Sequence, residues 1–195
     1  EDLKNNESLQ EDLTIIVDEI DRLTKVVNQL LQFAKPTSEL KTSVRIGDVI
    51  NSTLVVLNHE AKQNKIATFC QIPNDLPAII TDEGALKEVF FNLIHNAIQA
   101  MPSGGEININ AHYQPGNHMI QVTIADTGIG IPQESVQKIF EPFYTTKQTG
   151  TGLGLSIVKK KLEEMDAAIH VENNGEKGVS FVINFPLIEP ILTQF

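Results

Sequence analysis

Two glycine clusters and an asparagine pair hold the residues best suited to chemistry. The first cluster is Asp126-Thr-Gly-Ile-Gly-Ile-Pro132 and the second is Gly150-Thr-Gly-Leu-Gly-Leu155. Upstream lies Asn92-Leu-Ile-His-Asn-Ala97. Asp126 ends the apolar run Gln121-Val-Thr-Ile-Ala125. A carboxylate there can accept a hydrogen bond from the exocyclic amine of a base, and a guanine carbonyl would leave it unpaired. Gly128 and Gly130 permit close approach of a ring. Taken alone, Asp-Thr-Gly is also a common turn. It occurs in aspartic proteases too, but those need a second such motif, which this chain lacks.

Gly150, Gly152 and Gly154 lead into the helical pattern Leu155-Ser-Ile-Val-Lys-Lys160. Backbone N–H groups at a helix start bind phosphate. The Gly-Lys-Thr/Ser ending of a Walker loop is missing, and no strand precedes the glycines as a Rossmann fingerprint requires. Glu88, Asn92, His95, Asn96 and Gln99 recur at helical spacing and form one polar stripe. Neutral amide oxygens there would suit Mg²⁺ that keeps phosphates and waters as its other ligands. By itself, a solvated helix face is the simpler reading, and His95 is either a phosphate contact or a surface histidine. The segment Ile139-Phe-Glu-Pro-Phe-Tyr-Thr-Thr-Lys147 reads as a mobile lid anchored by Phe140 and Phe143. Lys147 is then the local cation for a terminal phosphate, or else a solvated lysine. Together the three boxes point to a purine nucleotide.

The elements that must position these residues follow from patterning. With 195 residues, 41% hydrophobic and 21% charged, the chain is an ordinary globular protein of one or two domains. A net charge of −10 argues against nucleic acid and anionic lipid as partners. The lone Cys70 excludes an internal disulfide framework and reads as a small core residue. No stretch suits a bilayer span or a signal peptide, and a start at Glu1 rather than Met suggests a piece of a longer protein.

Leu9, Leu13, Ile16, Ile20, Leu23, Val27, Leu30 and Ala34 form a heptad seam, closed by Pro36. Val17, Val26, Leu31 and Phe33 widen it, as suits a bundle. A dimer bundle is favoured over packing on the chain's own domain. A polar linker at 37–42 follows. Strands are expected at 44–46, 65–72 and 78–80. Helices are expected at 48–63, with Ile50, Leu54, Val55 and Leu57 inward, from the cap Asp82 to about Met101, and at 154–165. Hairpins are expected at 107–125 and 169–185. Hairpins with helices between them predict an α+β fold, a mixed sheet with helices on one face.

The order of boxes resembles the catalytic, ATP-binding part of sensor histidine kinases. Asn92-Leu-Ile-His-Asn96 matches the N box, Asp126-Thr-Gly-Ile-Gly130 and Gly150-Thr-Gly-Leu-Gly154 the two glycine boxes, and Phe140-Glu-Pro-Phe143 the F box. Gly178-Val-Ser-Phe181 resembles a late Gly-Thr-x-Phe element, with Ser180 replacing threonine. Asp18 to Pro36 is similar to the second helix of the dimerisation hairpin and its exit. The Phe-Tyr-Thr-Thr-Lys lid and Asn-Ala-Ile-Gln-Ala resemble the nitrogen-regulation and sporulation-type kinases in particular.

The resemblance implies the two-layer α/β sandwich of the GHKL superfamily, with residues 1–36 as the second hairpin helix and 37–195 as the catalytic domain. It implies ATP and Mg²⁺, with Asn96 on the metal, Asp126 on adenine, and Asn92, Asn96 and Lys147 as the catalytic set. The wider ATP-binding set would be His95, Gly128, Gly130, Ile131, Phe143, Gly150, Thr151, Gly152, Leu153, Gly154 and Ser180. Asn92 stands where ATP-hydrolysing relatives carry a glutamate base; an amide cannot activate water. Gln99 and Ala100 stand where many of these kinases have lysine and tyrosine.

Family members phosphorylate a histidine followed by an acid and, five positions on, by proline. None of the five histidines here fits: His59 precedes Glu60, but position 64 is Asn. The acceptor is therefore expected on a hairpin helix missing from this chain. The implied partners are a response regulator receiver domain and a second copy through the heptad helix. The implied location is cytoplasmic, with a parent that is or is not membrane-anchored. Two other classes are alternatives: a serine kinase of the same superfamily that inhibits a sigma factor, which needs no heptad helix and whose lid usually lacks the Phe-Glu-Pro-Phe run, and a non-catalytic nucleotide-sensing dimer module.

Overall fold

The computed structural model describes residues 9–187 except 11, 18, 21, 22, 25, 28, 29, 32–40, 148, 149 and 176. Pro36 and the first four positions of the expected linker lie outside the described residues, and Thr42 already belongs to a strand. The described residues between 9 and 31 are helical, α1. There follow β1 (Thr42–Val44), α2 (Ile46–Gln63), β2 (Ile66–Gln71), β3 (Ile79–Thr81) and α3 (Glu83–Gln99). The rest comprises β4 (Gly105–Gln114), β5 (Met119–Asp126), α4 (Gly154–Glu164), β6 (Ala168–Asn173) and β7 (Val179–Pro186).

The main sheet has the order β2-β4-β5-β7-β6. β2 runs parallel to β4, and every other pairing is antiparallel. Strict alternation along β5 sends Ile120, Val122 and Ile124 into the core and Gln121 and Thr123 to the opposite face. Ile107 and Ile109 of β4 and Ile183 and Phe185 of β7 join that buried face. Against it lies the apolar side of α3, where Leu86, Val89, Phe90, Leu93, Ile94, Ala97 and Ile98 are buried. Phe90 meets Phe185 with ring centroids 6.3 Å apart and planes tilted by 57°. Each such buried side chain contributes roughly 1.5–3 kcal/mol. This is the two-layer mixed fold that the hairpin pattern predicts.

Three details differ from the sequence reading. β1 and β3 pair with each other as a separate two-stranded sheet, outside the main one. Val55 is 76% exposed, and Val49, Ile50, Thr53, Leu57 and Ala61 form the inner face of α2. Thr53 takes an apolar position because its hydroxyl donates to the Val49 carbonyl at 2.8 Å. Cys70 is exposed, because β2 is an edge strand.

Helix α1 leaves its seam open. The seam residues Leu9, Leu13, Ile16, Ile20, Leu23, Val27 and Leu30 remain 39–59% exposed. The helix does not bury its apolar stripe on its own chain. Among the described residues no helix is long and apolar enough to cross a membrane.

Candidate nucleotide site

Helix α3 presents the polar stripe. Asp82 caps it by accepting from the Ala85 N–H at 3.1 Å. Glu88 ties α3 to α4 through Lys161 Nζ at 2.9 Å. One turn on, Asn92 Nδ2 donates to the Glu88 carbonyl at 2.9 Å. That leaves its Oδ1 toward the start of α4, where a Cβ on Gly154 would sit 3.1 Å away. Asn96 faces the same glycine. The asparagine pair and the second glycine box therefore meet. His95 turns elsewhere: its ring stacks on Phe91 at 5.5 Å, and Nε2 lies 3.3 Å from Glu60 Oε1 on α2 and 3.2 Å from Gln99 Nε2.

At the other end sits Asp126, the last residue of β5 and only 5% exposed. Burial raises its pKa above the ordinary carboxylate range; hydrogen bonds from the Gly128 and Val179 N–H groups and the charge of Lys147 oppose that rise. The Gly128 bond is 2.8 Å long. Gly128 itself lies against Ala100, whose carbonyl would be 2.8 Å from a Cβ there. Gly178 has φ +83°, its N–H donates to the Gly128 carbonyl at 2.7 Å, and a side chain there would run into the Asp126 carbonyl.

The hairpin between β6 and β7 clamps this loop. Asn173 brackets Ile131, accepting from its N–H at 3.1 Å and donating to its carbonyl at 2.8 Å. Asn174 Nδ2 donates to the Asp126 carbonyl at 3.4 Å, and Ser180 Oγ donates to Asn174 Oδ1 at 2.8 Å. Ser180 thus stands behind the loop. Neither Asn173 nor Asn174 was singled out by sequence reasoning; two adjacent asparagines before a glycine carry only a turn signal.

Between the two ends lies the 139–147 segment. Ile139 is buried, Phe140 packs against the core, and Tyr144 donates from its hydroxyl to Ser135 Oγ at 2.6 Å. Phe143 does not anchor the lid with its ring: it is 63% exposed and adopts φ +68°. Its N–H instead donates to the Gly152 carbonyl at 3.0 Å. Gly152 must be glycine, since its φ is +70° and a side chain would strike the Phe143 backbone. Gly150 N–H donates to the Lys147 carbonyl at 3.2 Å, and Leu153 N–H to Thr151 Oγ1 at 3.4 Å. Leu153 is the N-cap of α4 and has no side-chain acceptor to offer, so the helix start keeps N–H groups for an anion.

Lys147 reaches across to α3. Nζ donates to Gln99 Oε1 at 2.7 Å and to Asn96 Oδ1 at 3.3 Å. Burial lowers its pKa, and Asp126 opposes that change. The sequence places Gln99 in the polar stripe and marks it as a departure from the family, but its contact with Lys147 joins residues 48 apart and leaves no local signal.

The arrangement fits a magnesium adenine nucleotide. It brings a buried acid, tightly packed glycines, two amide oxygens, a lysine and an uncapped helix start onto neighbouring elements. Among the described residues there is no group of three or more His, Cys, Asp or Glu. A metal here would take an amide oxygen from Asn96 and complete its shell from phosphates and water. A separate cavity of about 50 Å³, lined by Arg45, Asn51 and Asn74 among others, contains none of these residues.

Comparison with known proteins identifies the family. Residues 81–189, more than half of the chain, match the family described as Histidine kinase-, DNA gyrase B-, and HSP90-like ATPase. Sporulation kinase A of Bacillus subtilis is 36% identical over 173 residues, 88% of this chain and 28% of the relative. The chain thus spans just over a quarter of that relative's length. Among solved structures, full-length ShkA in complex with AMPPNP superposes with a TM-score of 0.78 at 26% identity, covering 93% of this chain and 39% of that one. Histidine kinase ThkA in complex with the response regulator protein TrrA gives 0.75 at 29% identity, covering 89% and 50%. The chain belongs to the histidine kinase-, DNA gyrase B- and HSP90-like ATPase family, as a homologue of the ATP-binding part of sensor histidine kinases.

Proposed function

We propose that this chain is the ATP-binding catalytic portion of a two-component sensor histidine kinase, with residues 1–36 belonging to its dimerisation hairpin and 37–195 to its catalytic domain. The observation that carries this reading is the bridge from Lys147 on the lid to Asn96 and Gln99 on α3. One cleft thus offers an acceptor for the adenine amine and cationic and amide groups for a triphosphate.

In this reading Asp126 accepts from the adenine amine, while Gly128, Gly130 and Ile131 shape the ring site. Gly150 to Gly154 receive phosphate at the start of α4. Asn96 would supply an oxygen to Mg²⁺, which when bound would neutralise phosphate charge. Asn92 lines the same space without activating water, because an amide is no base. Lys147 holds the γ-phosphoryl group in place for an acceptor imidazole lying outside this chain. Transfer forms a phosphorus–nitrogen bond, breaks the bond to the β–γ bridging oxygen and releases ADP; positioning and charge neutralisation do most of the work.

The AMPPNP complex of ShkA supports ATP as the ligand, and the TrrA complex of ThkA supports relay to a response regulator. The exposed seam of α1 supports homodimerisation, since a solitary stripe of that length gains nothing in water. A need for ATP supports a cytoplasmic location for the catalytic portion.

Labelled ATP with a separate fragment bearing the acceptor helix tests the reading. The expected result is label on a histidine, base-stable and acid-labile. Saturable binding without transfer would make the chain a nucleotide-sensing module, and acid-stable label would make it a serine kinase.

A further inference from the structure

Lys147 contacts two amide oxygens, and they differ. Gln99 Oε1 lies 2.7 Å from Nζ, Asn96 Oδ1 3.3 Å. Both sit on the last turn of α3, three residues apart. The proposed function, on which this inference rests, assigns the Asn96 oxygen to a divalent cation. An ammonium and a divalent cation on one oxygen repel each other. Metal entry must therefore displace Nζ from Asn96, and some other group must keep the lysine near the phosphates.

Gln99 has the shorter contact and is itself held. An amide NH₂ cannot accept from an ammonium, so the pairing fixes Oε1 toward the lid. The Nε2 end then falls against His95 Nε2 at 3.2 Å, to which it donates in the tautomer that leaves that nitrogen unprotonated, and the ring stacks on Phe91. A neutral acceptor suits the task, because a carboxylate would hold the ammonium harder and repel an incoming phosphate.

We propose that Gln99 is the positioning residue for Lys147: its amide oxygen parks the lid lysine beside Asn96, so that the lysine yields Asn96 to the metal while staying within reach of the terminal phosphate. Gln99 acts through Lys147 and does not touch the reacting atoms.

The test is calorimetric titration of the full chain with AMPPNP and with ADP, both with Mg²⁺, for wild type, Gln99→Leu, Gln99→Glu and Lys147→Ala. Amide hydrogen exchange over 143–147 without nucleotide accompanies it. Wild type should prefer AMPPNP, and Lys147→Ala should lose that preference. Gln99→Leu should lose most of it, about tenfold, with ADP affinity changed less than about twofold. Lid amides should exchange faster in Gln99→Leu without nucleotide. Gln99→Glu should keep exchange slow yet weaken AMPPNP binding.

Gln99→Leu with wild-type preference and exchange overturns the role of Gln99 alone. Equal loss of AMPPNP and ADP overturns it as well, since that is general damage. A Lys147→Ala variant that keeps the preference removes the lysine from the phosphates and the proposal with it. Absence of nucleotide binding by wild type overturns the ATP reading and this inference together.

Discussion

The two ends of the cleft are built differently. Around Asp126 the main ties involve backbone: Gly178 N–H to Gly128 at 2.7 Å, Thr127 N–H to Glu106 at 3.2 Å, Ile129 N–H to Ala100 at 3.4 Å. Around Lys147 the main ties join side chains: lysine to Gln99 and Asn96, and Tyr144 to Ser135. Backbone ties beside the sheet end hold Asp126 in one place, as the proposed base-reading role requires. Side-chain ties across a loop break at small cost, as the proposed phosphate end requires.

Substitutions at the two ends should therefore fail in different ways. The largest effect is expected for Gly178→Ala, which meets both a left-handed backbone and the Asp126 carbonyl. It should lower stability by about 2–4 kcal/mol, read as a drop in denaturant midpoint. Next comes Asp126→Asn. ATP affinity should fall by about 1.5–3 kcal/mol in calorimetry, while the fold stays intact.

The same variant has a pH signature. The folded pKa of Asp126 is raised, so the folded state binds more protons than the unfolded state between the ordinary carboxylate range and that raised value. Its contribution to stability is present below this window and is lost as pH rises through the folded pKa. Asp126→Asn removes that slope, and melting curves from acidic to neutral pH should show a smaller loss than in wild type. At the phosphate end, Tyr144→Phe should cost about 1 kcal/mol through its bond to Ser135, seen as faster lid exchange. The smallest effect belongs to Phe143→Ala, within about 0.5 kcal/mol, because the ring is 63% exposed.

The base end was the more legible of the two. Asp126 at a strand end, Asp82 at a helix start and the β4–β5 hairpin all follow from local pattern, and the structure agrees with each. The second glycine box was legible too, because the structure makes Gly152 adopt a positive φ that favours glycine. Tertiary partners were not legible. Gln99 meets a lysine far along the chain, and Asn173 meets Ile131 at a distance of 42 residues. Aromatic character suggested Phe143 as an anchor, but its left-handed backbone turns that expectation aside, and Tyr144 takes the buried contact. Cys70 was misread because alternation along β2 does not reveal that the strand is an edge. The seam of α1 is legible as a stripe, and it stays exposed on the single chain.

The central claim is that one cleft reads adenine at a fixed acid and holds phosphates at a lid lysine. Calorimetric titration of the wild-type chain with ATP and with GTP, each with magnesium and with EDTA, tests it most directly. Saturable 1:1 binding of ATP, weakened by EDTA and much weaker for GTP, is the predicted result; equal binding of both nucleotides, or none of either, would contradict it.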